Sequence, residues 1–273
     1  MLKERPRMPP TLIVLAAGQG TRMNSERPKV LHTLGGVPLL WHALSAGRAL
    51  EPARIVVVVG TGGAEVATAA RAFDDAVDVV EQPERLGTAH AVRQAAAFLE
   101  TDAPAIVLYG DTPFVRPETL SAMLDALARH AVVVLGFTAA DPLRYGRLIA
   151  EGEALERIVE WKDASEAERA IRLCNSGVMA CNARTLASLV AEVGNDNKAG
   201  EYYLTDIVAL ARARGLSAGV VTCDEAETLG IDSRAQLAAA EAAFQARARA
   251  EALDNGVTLT APDTVWFALD THI

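Results

Sequence analysis

The sequence predicts an α/β fold built on a doubly wound, mostly parallel sheet. Short β-rich runs alternate with Ala- and Leu-rich stretches through the first half. Several of those runs are apolar at every position, as strands covered on both faces must be. The composition agrees: a chain that is 51% hydrophobic but only 5% aromatic must fill its core with aliphatic side chains. Its 273 residues suit one large α/β domain.

Taken in order, TLIVLAA, ARIVVVVG, AVDVVEQ, APAIVLYGD and AVVVLGFTA each have strand length. Between them, helices are expected near residues 38–50, 63–73, 88–100 and 117–130. Beyond residue 140 the rhythm changes. YGRLIAEGEALERIVE reads as a hairpin turning at Gly152, followed by a charged helix near 163–170 and an apolar run at 173–181. This gives a nucleotide half and a substrate half without requiring two independently folding units. Residues 233–255 read as one long helix, started by Asp232 or Ser233 and closed by Gly256.

The net charge of −9 argues against generic nucleic-acid binding, which needs a basic face to neutralise phosphates. A phosphorylated ligand would therefore require local positive charge, and a metal. Cys174, Cys181 and Cys223 are odd in number and lack metal-type spacing, which suits buried packing residues in a reduced cytoplasm. No stretch approaches the roughly 20 apolar residues of a membrane span, and MLKERPRMPPTLIVLAAG lacks a signal-type apolar run before Gly18. The expectation is a soluble, cytoplasmic protein with neither nucleic acid nor membrane as partner.

The stretch LAAGQGTRMNSERPKVL leaves an apolar strand at Leu15, Ala16 and Ala17, then places Gly18 and Gly20 ahead of Arg22, Arg27 and Lys29. Met23 stands where the dinucleotide fingerprint needs its third glycine, and the Walker pattern is absent. What remains is a turn whose small residues let a ligand approach the backbone, whose free N–H groups suit anionic oxygens, and whose cations follow within a few residues. It is a phosphate loop of another kind. Asp111 ends the apolar run before Thr112, at the carboxyl end of a strand where open α/β sheets bind ligands, and its hard oxygens suit Mg²⁺.

The loop resembles the G-x-G-T-R-M…P-K signature of sugar nucleotidyltransferases, of nucleotide-diphospho-sugar transferase, Rossmann-like fold. With EQPERLGTAHA, LYGDTPF, YGRLI, IVEWKDA, LCNSGVM and GEYYLTDI, the chain resembles the uridyltransferase half of bifunctional N-acetylglucosamine-1-phosphate uridyltransferase/glucosamine-1-phosphate acetyltransferases over roughly residues 11 to 270. The resemblance implies that UTP and N-acetylglucosamine 1-phosphate give UDP-N-acetylglucosamine and pyrophosphate with Mg²⁺, feeding cell-wall precursor synthesis. It implies a uridyltransferase region over 1–255, with 256–273 beginning a linker toward a left-handed β-helix that carries the acetyltransferase. Acetyl transfer by this chain is not expected. A homo-oligomer is allowed, and a trimer is expected only with that further domain.

Carried over residue by residue, the resemblance puts Arg22 and Lys29 at the phosphates, and Leu15, Ala16, Ala17, Gly18, Gln82, Gly87, Thr88, Tyr109 and Gly110 around the nucleotide. Gln82 is the match to a uracil-reading residue, and Thr88 is also placed to cap the helix that follows. Gly146, Glu160 and Asn175 match sugar-binding positions, with Tyr203 and Thr205 completing the pocket. His90 is read as structural and Arg27 as a solvated surface charge. Asp111 is assigned to magnesium. Where the family carries Asn in a G-V-N-like segment, this chain has Asp232 in LGID, which either joins Asp111 at the metal or caps the long helix. A different base or acceptor, or a noncatalytic nucleotide-sugar-binding subunit, stays open as an alternative.

Overall fold

The computed structural model describes residues 8–273, so the first residues of the N-terminal segment discussed above lie outside the described residues. In chain order the elements are β1 (Thr11–Ala16), β2 (Thr33–Leu34), β3 (Val37–Pro38), α1 (Leu39–Arg48), β4 (Arg54–Gly60), α2 (Ala64–Phe73), β5 (Asp78–Gln82), α3 (Thr88–Gln94), β6 (Pro104–Tyr109), α4 (Pro117–Ala126) and β7 (Val132–Thr138). There follow β8 (Arg147–Glu151), β9 (Ala154–Val159), α5 (Glu166–Arg169), β10 (Leu173–Asn182), α6 (Ala183–Glu192), α7 (Asp206–Ala213), β11 (Ala218–Cys223) and α8 (Arg234–Asp254).

The main sheet has the order β5-β4-β1-β6-β10-β7-β11-β9-β8. Strands β5, β4, β1, β6, β7 and β11 run the same way, while β10 is wedged antiparallel between β6 and β7. The mostly parallel expectation therefore holds, with one reversed strand at its centre. Because side chains alternate across a strand, Ile13 and Leu15 join the core beneath α3, α6 and α7, whereas Leu12, Val14 and Ala16 join the one beneath α1, α2 and α4. Both faces are covered, which is why β1, β4 and β6 are apolar throughout.

The hairpin turns at Gly152, whose φ of 59° favours glycine. The short helix α5 carries a capping box between Ser165 and Glu168. Helix α8 starts with Ser233, not Asp232, as its N-cap: the Ser233 hydroxyl accepts from the Gln236 N–H. Residues 256–273 dock back on the body. Phe267 joins Leu34, Leu39 and Phe244 in a third apolar cluster, and its backbone N–H and C=O both bond the Gln245 side-chain amide at 2.8 Å.

Candidate active site

The carboxyl edge of the parallel strands gathers the predicted residues from segments far apart in the chain. The first loop leaves β1 through Ala17 and Gly18, and a Cβ on Gly18 would meet no protein atom within 4 Å. Gly20 differs. Its φ is 63°, and a Cβ there would lie 2.5 Å from the Cβ of Lys29, so its bareness lets the lysine stem pack. Met23 is fully buried and anchors the turn, and its carbonyl accepts from Arg234 Nε at 3.1 Å, tying the loop to the start of α8.

Lys29 is 8% exposed, and its ammonium donates to Asp111 and, at 2.7 Å, to Asp232. Burial works against its charge, but the two carboxylates outweigh burial and hold its pKa above the usual lysine value. Arg22, largely exposed on the outer side, pairs with the other oxygen of Asp232 at 2.8 Å. The backbone holds the two carboxylates together as well, since Ile231 N–H donates to the Asp111 carbonyl at 3.0 Å. The Asp232 side chain thus faces cations, and Ser233 does the capping.

Below this cluster lies a cavity of about 290 Å³, lined by Leu15, Ala17, Gly18, Lys29, Gln82, Gly87, Thr88, Tyr109 and Asp111 among others. Ala16 is not among its lining residues and packs into the core, and Gly110 acts through its backbone, donating to Leu15 O at 3.0 Å. Gln82 is 3% exposed at the end of β5 and donates from Nε2 to Gly87 O at 3.0 Å. Gly87 has φ 115°, and a Cβ would come within 2.5 Å of the Tyr202 carbonyl. Thr88 corrects the expectation of a cap: the N-cap is Gly87, and the Thr88 hydroxyl accepts from Leu204 N–H at 2.9 Å, stitching this loop to the 201–205 segment.

The second cluster is reached through the reversed strand. Between Asn175 and Met179 the pairing of β10 with β7 shifts register, and the bulge includes Gly177, whose missing side chain leaves room for the Tyr109 ring. Asn175 N–H donates to Gly146 O at 2.8 Å, while its Oδ1 accepts from Gly177 N–H at 2.9 Å. Glu160 accepts from the Thr205 hydroxyl at 3.1 Å, and a Cβ on Gly146 would lie 3.5 Å from its carboxylate oxygens. Burial pushes the Glu160 carboxyl up, opposed by Thr205 and assisted by the charge of Asp206. Burial likewise raises the Tyr203 phenol, with the Glu160 charge next in effect. A cavity of about 260 Å³ opens here between Arg144, Glu160, Trp161 and Tyr203, and Glu201 lines both it and the larger one.

Among the lining residues that the sequence does not single out, two connect segments. Arg85 donates from Nε to Ala17 O at 2.8 Å, pinning the glycine loop from the β5–α3 connection, and Glu201 joins the cavities. A lone arginine in a loop carries no signal of this; only the sheet order β5-β4-β1, which brings the ends of β5 and β1 to one edge, reveals it. Among the described residues no group of three or more His, Cys, Asp or Glu could hold a metal ion. Asp111 and Asp232, which converge on the Lys29 ammonium, do suit Mg²⁺, which takes one or two protein carboxylates and fills its remaining positions with phosphate and water oxygens.

The family described as MobA-like NTP transferase domain matches residues 12–180. The chain belongs to that family. It is therefore a nucleotidyltransferase, and the glycine loop after β1, Lys29 and Asp111 lie within the matched span. It is 70% identical over 265 residues to the bifunctional protein GlmU of Cereibacter sphaeroides, covering 96% of this chain and 58% of that protein. It is 60% identical over 267 residues to the protein of the same name from Ruegeria pomeroyi, covering 97% and 59%. The chain thus spans somewhat over half the length of these curated relatives. In fold it is similar to a UDP-glucose pyrophosphorylase crystallised with UDP-glucose, at TM-score 0.67 and 18% identity, covering 88% of this chain and all of that one. No helix among the described residues is long and apolar enough to cross a membrane.

Proposed function

We propose that this nucleotidyltransferase uses UTP and N-acetylglucosamine 1-phosphate to form UDP-N-acetylglucosamine and pyrophosphate in the cytoplasm. The observation that carries the reading is Lys29 held between Asp111 and Asp232 at the mouth of a cavity floored by the glycine loop. The substrates come from the motif resemblance, and the 70% identity to a bifunctional protein GlmU supports them.

In this reading a phosphate oxygen of the sugar phosphate attacks the α-phosphorus in line, the bond to the β-phosphate oxygen breaks, and pyrophosphate leaves. The acceptor is already ionised, so no general base is needed, and no histidine is assigned a proton. The protein's task is to position two anions and to stabilise charge in the transfer. The loop N–H groups beyond Gly18 cradle phosphate oxygens, Lys29 offsets charge at the transferring group, and Arg22 covers the outer side. Asp111 and Asp232 would hold Mg²⁺, which when bound supplies further charge neutralisation at the phosphates. Glu160, Asn175, Tyr203 and Thr205 take the sugar hydroxyls and amide, and Gln82 takes the base.

The test is pyrophosphate release across a panel of nucleoside triphosphates and sugar 1-phosphates with Mg²⁺. The expected outcome is a strong preference for UTP with N-acetylglucosamine 1-phosphate. Preference for another triphosphate or acceptor would reassign the pockets, and no release from any pair would leave a binding subunit.

A further inference from the structure

We propose that His90 is a positioning residue that fixes which end of the Gln82 amide faces the nucleotide, and thereby favours a base bearing a ring N–H over one bearing a ring acceptor. This builds on the reading above that the base sits at Gln82.

The orientation of the amide follows from its neighbours. The Gly87 carbonyl can only accept, so the Gln82 atom 3.0 Å from it is Nε2. The same nitrogen lies 3.1 Å from His90 Nδ1. Both hydrogens of Nε2 are then engaged, and Nδ1 must be the acceptor, which makes His90 neutral with its proton on Nε2. Gln94 Nε2 bonds the His90 carbonyl at 2.9 Å and turns its second hydrogen toward His90 Nε2 at 3.3 Å, but a neutral imidazole has one lone pair to offer, and the shorter contact of 3.1 Å gives it to Gln82. Neither anchor is free to drift: Gly87 is pressed against the Tyr202 backbone, and His90 lies on the first turn of α3 with the Tyr202 ring 6.2 Å from its own.

With both hydrogens committed, the remaining polar atom of Gln82 is Oε1, and no protein donor reaches it among the described residues. Gln82 lines the cavity, so it offers a ligand an acceptor and no donor. Uracil presents an N3–H that can donate to that oxygen. Cytosine presents a lone pair at the same ring position, which the oxygen repels. Rejection is sharp because reversing the amide would break both bonds to Nε2 and place Oε1 against the Gly87 carbonyl.

The experiment measures kcat/KM for UTP over that for CTP in wild type, His90→Leu, His90→Asn and Gln82→Leu, with N-acetylglucosamine 1-phosphate as acceptor. His90→Leu removes one of the two anchors and should lower the ratio about fivefold, the equivalent of one net hydrogen bond. His90→Asn, whose carbonyl can replace the Nδ1 acceptor, should restore the ratio. Gln82→Leu should bring it close to unity. An unchanged ratio in His90→Leu beside a collapsed one in Gln82→Leu overturns the role of His90 while keeping the base at Gln82. An unchanged ratio in Gln82→Leu removes the base from this site and the proposal with it. Independently of any variant's folding, long-range ¹H–¹⁵N spectra of the wild-type imidazole should show the Nε2–H tautomer, and the Nδ1–H tautomer would overturn the assignment.

Discussion

At the phosphate end, burial would strip the proton from Lys29, yet Asp111 and Asp232 hold it in place; at the sugar end, burial pushes the Glu160 carboxyl up and only the Thr205 hydroxyl answers it. One site keeps its charges by pairing them, and the other leaves a carboxylate short of partners. Under the proposed function the difference follows from what each end is to bind. Phosphates need fixed cations and metal-holding anions, whereas sugar hydroxyls can themselves donate to an underserved carboxylate. The phosphate end should therefore fail when charge is removed, and the sugar end should tolerate its loss better.

The largest effect is expected at Lys29. Lys29→Ala should lower turnover about 10²-fold, the usual loss for one preorganised charge aimed at the transferring group. Thermal melting should show that the fold survives. Turnover near wild type at saturating substrate would remove Lys29 from the transfer and make the paired cluster merely architectural.

Asp232 comes next. Asp232→Ala should lower activity about tenfold by freeing both Lys29 and Arg22, while Asp232→Asn should stay active but need more Mg²⁺ for half its maximal rate. Because Ser233 supplies the cap, neither variant should lose helix α8. Magnesium titrations of the rate, run beside melting curves, separate the two roles: unchanged magnesium dependence with a lower melting temperature in both variants would make Asp232 structural.

The two loop glycines sharpen the same contrast within three residues of chain. Gly20→Ala should destabilise the protein by about 1–2 kcal/mol, because the added Cβ meets the Lys29 stem at a positive φ. Gly18→Ala meets nothing in the protein, so its denaturation midpoint should match wild type while the nucleotide KM rises. Equal KM values in wild type and Gly18→Ala would take the triphosphate away from that part of the turn.

The smallest effect belongs to Glu160. Its folded pKa is raised, so its contribution to stability is full below the usual carboxyl value of 4.5 and is lost as pH rises through the folded value. Glu160→Gln cannot ionise. Its melting temperature relative to wild type should therefore improve from pH 4 toward neutrality, and a difference that shrinks over that interval would contradict the burial argument.

Much of this was legible in the sequence because it is local. Runs such as RIVVVVG and PAIVLY announce strands, and the glycines after β1 together with Asp111 announce loops that meet at one cavity at their carboxyl edge. The reversal of β10 was not legible, since an apolar run carries no sign of its direction. Nor did any pattern mark α6, α7 or β11 as clearly as the first-half alternation. Thr88 misled because Thr at a helix start caps often enough, yet the neighbouring 201–205 segment claims its hydroxyl first. Asp232 was ambiguous for a comparable reason: an acidic residue beside a helix start fits a cap or a ligand equally, and only the Ser233 hydroxyl on the Gln236 N–H removes the cap.

That contact also orders events in time. Lys29 and Asp232 are 203 residues apart, Arg234 reaches back to Met23, and Ile231 closes onto Asp111. A chain made from its N-terminus can pair β1, β4, β5 and β6 long before the segment around residue 232 has emerged. During that interval Lys29 has only Asp111 for a counter-charge. Under the proposed function the emerging polypeptide therefore lacks one of the two carboxylates on Lys29, and full competence arrives late, with a closure across 203 residues.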